Sequence, residues 1–231
     1  MLEGLSIVRE AFPRTVRLVT TARLRDSVLR SLADNDQELH DIYEIEAVTS
    51  GRLVAQNRGG VGIASGEFVY GVPHANFINA SFSYARPGEL NRFNGPDRGA
   101  WYAALAVETC IEEVKFHMTE FLARTGEYHA VVEYAELFAS LAGEYVSLRE
   151  SPDHPSLNPD PSVGYPAGNA LASATHARGL NGIIYPSVRH AGGICFAVLL
   201  PHAVQSIAQG DIYRMTWAGV ETPTIEKLQS A

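Results

Sequence analysis

The chain has 231 residues, 46% of them hydrophobic and 19% charged, a balance that excludes wholesale disorder and permits a sizeable buried core. Its formal net charge of -8 argues against non-specific binding to nucleic acid or to an anionic membrane, because no basic excess steers it there. A few placed arginines can still hold a phosphate in an acidic protein.

Residues 1–14 read as a lead-in ended by Phe12-Pro13, and Thr15–Ala22 is β-branched and alternating, as a strand carrying Arg17. Asp26–Leu32 and Gln37–Val48 have apolar residues at helical spacing. The glycine-rich run 56–73 lacks Gly-Lys-Ser/Thr, so it reads as a surface loop rather than a phosphate cradle. Asn76–Tyr84 alternates as a strand, and Pro87-Gly88 closes it.

The stretch Asn91–His117 then places an arginine in a Gly/Pro turn, an aromatic pair, and an amphipathic helix. Trp101–Leu105 reads as a short strand and Val107–Arg124 as the helix. Val107, Cys110, Ile111, Val114, Met118, Phe121 and Leu122 share one helical face, while Glu108, Glu112 and Lys115 take the solvated side. Glu113 and His117, four apart, stack at the edge of the apolar stripe, where a carboxylate can be half-buried and aimed into a cleft.

Tyr128–Phe138 is strand-like. Ser151–Gly168 carries five prolines and reads as a long loop, either a surface segment or a lid. A short helix over Asn169–Ala177, strands at Gly182–Tyr185 and Ile194–Leu200, and a last strand at Asp211–Trp217 follow, with a polar tail past Glu221. Helices and strands mix without a regular βαβ rhythm, which predicts an α+β fold. Cys110 and Cys195 read as buried thiols, and no histidine or cysteine spacing suggests a metal site. With no basic leader and no run of about 18 apolar residues, a soluble, cytoplasmic protein is expected.

Arg92, Tyr102, Glu113, His117 and the run Tyr185-Pro-Ser187-Val-Arg189, in that order, resemble the RES domain family, named for a motif arginine, glutamate and serine. The resemblance runs from about Thr15 to about Leu200 and is strongest in Asn91–His117 and Gly179–Phe196. Compact members often have Gly-Gly-Arg-Trp where this chain has Leu90-Asn-Arg-Phe93.

The resemblance implies one domain over 1–231 with a fold related to ADP-ribosyltransferases, residues 24–80 being an N-terminal elaboration and 150–168 a Pro-rich loop. It also implies an activity on NAD⁺ as substrate, with no prosthetic group. Members degrade NAD⁺ by hydrolysis or phosphorolysis as toxins of toxin–antitoxin pairs, and some transfer ADP-ribose to a protein. The expected partners are NAD⁺ and an Xre-like helix-turn-helix antitoxin, in a homo-oligomer or a toxin–antitoxin complex. The motif arginine maps to Arg92, the tyrosine to Tyr102, the glutamate to Glu113 and the serine to Ser187. Arg17 maps to a first-strand arginine, and Asn94 of the Arg-Phe-Asn run joins the expected NAD-binding set.

The chemistry suits these residue types. Arginine binds a pyrophosphate bidentately, the task expected of Arg92 with help from Arg17. A carboxylate accepts from a ribose hydroxyl and stabilises positive charge developing at C1′, the task expected of Glu113. Tyr102 can pack on nicotinamide. Ser187 can bond the ligand or fix its loop, and no His/Asp arrangement activates it as a nucleophile. Each has a plain alternative: a salt bridge for either arginine, a core ring for Tyr102, a helix-edge charge for Glu113. A non-catalytic interaction module that keeps the scaffold is the alternative for the whole chain.

Overall fold

The longest strand, β3 (His129–Ser147), joins the two halves of the sheet. One of its edges pairs antiparallel with β1 (Ser6–Thr20) over Tyr134–Ser147. The other edge pairs with β6 (Val204–Ala218) over His129–Leu141 and, at its end, in parallel with β4 (Gly182–Pro186). Next to β4 come β5 (Ile194–Val198) and β2 (Trp101–Ala104), both antiparallel, and β2 returns to β1 at Val16↔Ala104. The pairings therefore close a ring, β1–β2–β5–β4–β3–β1, from which β6 and the edge strand β7 (Thr224–Leu228) extend. These relations come from a computed structural model that describes residues 2–23, 63–83 and 90–228. The α+β fold is the one expected.

Strand alternation splits the core in two. One cluster takes Val16, Leu18, Tyr134, Val146, Ile183 and Tyr185, and is covered by α2 (Val107–Thr125) through Cys110 and Leu122 and by α3 (Pro161–Ala177) through Leu171 and Ala172. The other takes Trp101, Leu137, Leu141, Phe196 and Val198, and is covered by α1 (Ala75–Ser83) through Ile78 and Phe82. In β4 and β5 the side chains turned to α1, Ile184, Phe196 and Val198, alternate with Ile183, Tyr185, Cys195 and Ala197 turned to α2 and α3, so the sheet is buried on both faces there.

Several expectations change. Residues 1–14 are not a lead-in: β1 runs through Pro13, whose missing N–H is tolerated because the register with β3 shifts between Phe12 and Thr15. Asn76–Tyr84 is not a strand, since Ile78 and Phe82, four apart, are the buried positions of a helix over Ala75–Ser83. The Pro-rich segment is a loop only to Asp160. Asp160 then caps α3, accepting from Ser162 N at 2.9 Å, and Pro161 occupies the first helical position, where an N–H has no partner to lose. The part of the expected loop from 161 onward, read as a surface segment or a lid, is thus a core-packing helix. β3 and β6 both exceed the expected strands, and the tail past Glu221 contributes β7. The helices expected at 26–32 and 37–48 lie outside the described residues.

Candidate active site

The chain from Asn91 to Ala100 crosses the edge of the α2–α3 side, and α3 determines how deeply it sits. A Cβ on Gly168 would fall 1.9 Å from the Arg92 carbonyl oxygen, and one on Gly164 would fall 2.8 Å from Arg92 Nη1. Two glycines four apart therefore let α3 approach the Arg92 backbone and leave the residue buried, at 7% exposure. Arg92 Nη1 donates to Ser156 O and, at 2.9 Å, to Asn158 O, both in the turn before α3. Its Cζ lies 5.4 Å from the centre of the Tyr165 ring. Both bonds use Nη1, so the Nη2–Nε edge makes no hydrogen bond to a described residue.

Tyr102 on β2 braces the same loop. Its hydroxyl accepts from Phe93 N at 2.9 Å and donates to Asn94 Oδ1 at 2.9 Å. Asn94, itself buried, donates onward to the carbonyls of Gly95 and Arg98. Burial holds the Tyr102 phenol well above its ordinary pKa, so it keeps its proton and its role as donor. The Phe93 ring meets Tyr185 edge-on at 4.7 Å, which seats the loop on the end of β4.

Glu113 projects from α2, half-buried, toward the turn that follows β4. Ser187 Oγ donates to Glu113 Oε1 at 2.7 Å while accepting from the main-chain N–H groups of Arg189 (3.1 Å) and His190 (3.0 Å). The serine therefore fixes the carboxylate and its own turn together. A second link from α2 supports that turn, Thr109 Oγ1 meeting His190 Nδ1 at 2.9 Å. Behind Glu113, Cys195 Sγ lies at 3.9 Å, and burial followed by the Glu113 charge pushes that thiol well above its usual range. It is not a nucleophile in this state.

Arg92, Asn94, Tyr102, Glu113 and Ser187 thus converge from four separate pieces of chain. Arg17 does not join them. Its neighbours Val16 and Leu18 point to the α2–α3 side, so Arg17 points to the other face, with Cζ 4.6 Å over the Trp101 ring and Nη1 3.4 Å from Tyr102 O. His117 stays exposed beside Phe116, ring centres 5.4 Å apart.

Two further residues stand in the cluster, Tyr165, which had no reading in the sequence, and Arg189. Tyr165 was hidden in the Pro-rich run. Arg189 reads in the sequence as a loop charge or, alternatively, a phosphate contact; its guanidinium lies 3.5 Å over the Phe116 ring and Nη2 donates to Pro159 O at 2.8 Å. The Asp160-Pro161 helix start, with Tyr165 one turn on, was the signal that could have exposed Tyr165.

A carboxylate held by a neutral hydroxyl, facing two arginines fixed by main-chain carbonyls, is suited to a ligand that carries both anionic groups and sugar hydroxyls. Comparison with known families agrees with the sequence resemblance: a model of the RES domain matches residues 68–218, more than half of the chain. The match contains Arg92 through Ser187 but begins after β1, so it does not include Arg17. No curated protein matches the sequence.

Proposed function

The chain belongs to the RES domain family, and we propose that it cleaves the bond between nicotinamide and ribose in NAD⁺. The observation that carries this reading is the Ser187–Glu113 bond of 2.7 Å, which holds one carboxylate oxygen and leaves the group's charge uncompensated by any described ion pair. As the C1′–N bond breaks, its electron pair leaves with nicotinamide and positive charge grows on the ribose. A fixed carboxylate beside C1′ stabilises that charge more than it stabilises the neutral ribose of the ground state.

Water then adds to C1′ and releases a proton, giving ADP-ribose and nicotinamide. With phosphate as acceptor, the new bond is from a phosphate oxygen to C1′. Arg92 offers its Nη2–Nε edge to the pyrophosphate. Tyr102 and Asn94 hold the Arg92 loop in place, and Asn94 acts in binding through that loop. Ser187 orients Glu113 and performs no covalent step. The protein is proposed to act as the toxin of a toxin–antitoxin pair, held inactive by an Xre-like helix-turn-helix partner. Among the described residues no helix is long and apolar enough to cross a membrane.

Incubating the pure protein with NAD⁺ and measuring free nicotinamide tests the reaction. Release in plain buffer identifies hydrolysis, and release only with added phosphate identifies phosphorolysis. Release only when an acceptor protein is added, with ADP-ribose appearing on that protein, would replace both with transfer to a protein acceptor.

A further inference from the structure

Arg189 stands in the cluster but has no task assigned to it in the cleavage above, and its surroundings are unlike those of a loop charge. Phe116 supports one face of its guanidinium, Pro159 O takes Nη2, and its own N–H bonds Ser187 Oγ. No described carboxylate forms an ion pair with it. Arg92 shares that property and is fixed by carbonyls of the same short segment, Ser156 and Asn158. The groups that act on Arg189 electrostatically are Arg92, which opposes its charge, and Glu113, Tyr165 and Glu120. Glu113 is already bonded to Ser187, and Glu120 is exposed to solvent. Two rigidly held cations near one another, neither with an ion-paired carboxylate, form a site for a bridging anion.

Arg189 also borders a groove of about 260 Å³, lined by Phe116, Thr119, Glu120 and Glu221 together with Lys115, whose charge is paired with that of Glu112. Glu120 is seven residues beyond Glu113 on α2. That spacing returns it to the same helical face, two turns or roughly 10 Å along the axis. Resting on the NAD⁺ reading above, we infer that Arg189 grips the adenosine-side phosphate of the dinucleotide and that the groove beyond it receives the adenosine. The nicotinamide ribose is then at Glu113, the pyrophosphate spans Arg92 and Arg189, and the second ribose reaches Glu120. A carboxylate there accepts from a ribose diol and repels a phosphate on it, so the groove selects NAD⁺ over NADP⁺.

The test compares NAD⁺ with nicotinamide mononucleotide, which has the same scissile bond but lacks the adenosine-side phosphate. R189Q is expected to raise KM for NAD⁺ at least tenfold while leaving kcat/KM for the mononucleotide within about twofold, and R189K to recover part of the loss. Equal losses on both substrates would mean that Arg189 only steadies the Ser187 turn, and would overturn the inference. Calorimetric titration with ADP-ribose reads the same contact without turnover: R189Q should bind at least tenfold more weakly, and unchanged affinity overturns it. If wild-type protein releases no nicotinamide yet ADP-ribose binding still depends on Arg189, the proposed reaction fails and this contact stands. E120Q should narrow the preference for NAD⁺ over NADP⁺; an unchanged preference removes the adenosine from the groove.

Discussion

Two glutamates near the Asn91–Ala100 loop are held in opposite ways. Glu67, in the turn before α1, takes Arg98 bidentately, with Nη1 at 3.1 Å and Nη2 at 2.6 Å, and also accepts from Ala64 N at 3.0 Å. Arg98 in turn bonds Leu199 O, so this pair ties the α1 side to the loop and to the end of β5. The Arg98 hydrogen bonds bring the Glu67 carboxyl down to about 2. Glu113 has a hydroxyl as its partner instead, and the arginines nearest to it are occupied by main-chain carbonyls. A carboxylate matched to its own arginine is a structural strut, whereas one held by a neutral donor keeps its charge for a ligand. The difference separates a fold-holding side of the loop from a chemical side.

The comparison breaks most sharply at Glu113. E113Q keeps the shape and the Ser187 bond but removes the charge, so nicotinamide release should fall on the order of 100-fold or more with the melting temperature unchanged. A melting temperature that fell with activity would place Glu113 with Glu67 as a strut. Next in size, G168A forces a methyl to within 1.9 Å of the Arg92 carbonyl, and backbone must move. A loss of about 2 kcal/mol is expected, read as a denaturation midpoint shift, with activity declining because Arg92 loses its seat.

S187A removes the donor to Glu113 Oε1 and the acceptor for two main-chain N–H groups. It should cost about tenfold in kcat/KM, less than E113Q because the carboxylate remains.

The smallest effect lies on the strut. E67Q should lower stability by about 1 kcal/mol, since the pair is partly exposed and screened, and should leave kcat unchanged. The pH dependence has a fixed sign. A carboxyl depressed to about 2 in the folded state contributes fully above the ordinary value near 4.5, and loses that contribution as pH falls from there toward 2. Thermal melts between pH 5 and 2 should therefore show a steeper acid limb for wild type than for E67Q, and parallel limbs would remove Glu67 from the strut.

Much of the site was legible because its residues sit in local patterns. The helix over Val107–Thr125 follows from its apolar repeat, and with it the placement of Glu113 at a half-buried edge. The strand expected at Trp101–Leu105 is present over Trp101–Ala104, and the α+β class followed from helices and strands mixing without a βαβ rhythm. Where one pattern overlay another, legibility failed. Proline density concealed the start of α3, and with it Tyr165, Gly164 and Gly168. In 76–84 an alternation fit outweighed the four-residue spacing of Ile78 and Phe82. Arg17 lies on the strand expected of it, but its direction depends on which face of β1 meets α2, a fact about packing.

The sequence by itself determined the residue types, their order, and the elements that carry Arg92, Tyr102, Glu113 and Ser187, because 3.6- and two-residue periods are local properties of the chain. Only the tertiary structure decided what those residues touch. The Ser187–Glu113 bond joins positions 74 residues apart, and the Arg92 contacts to Ser156 and Asn158 span 64 and 66. Such contacts exist because β3 pairs with β1, β4 and β6 at once and brings the ends of distant elements to one edge. No local pattern encodes that closure, since it depends on how the two apolar clusters pack against the helices that cover them.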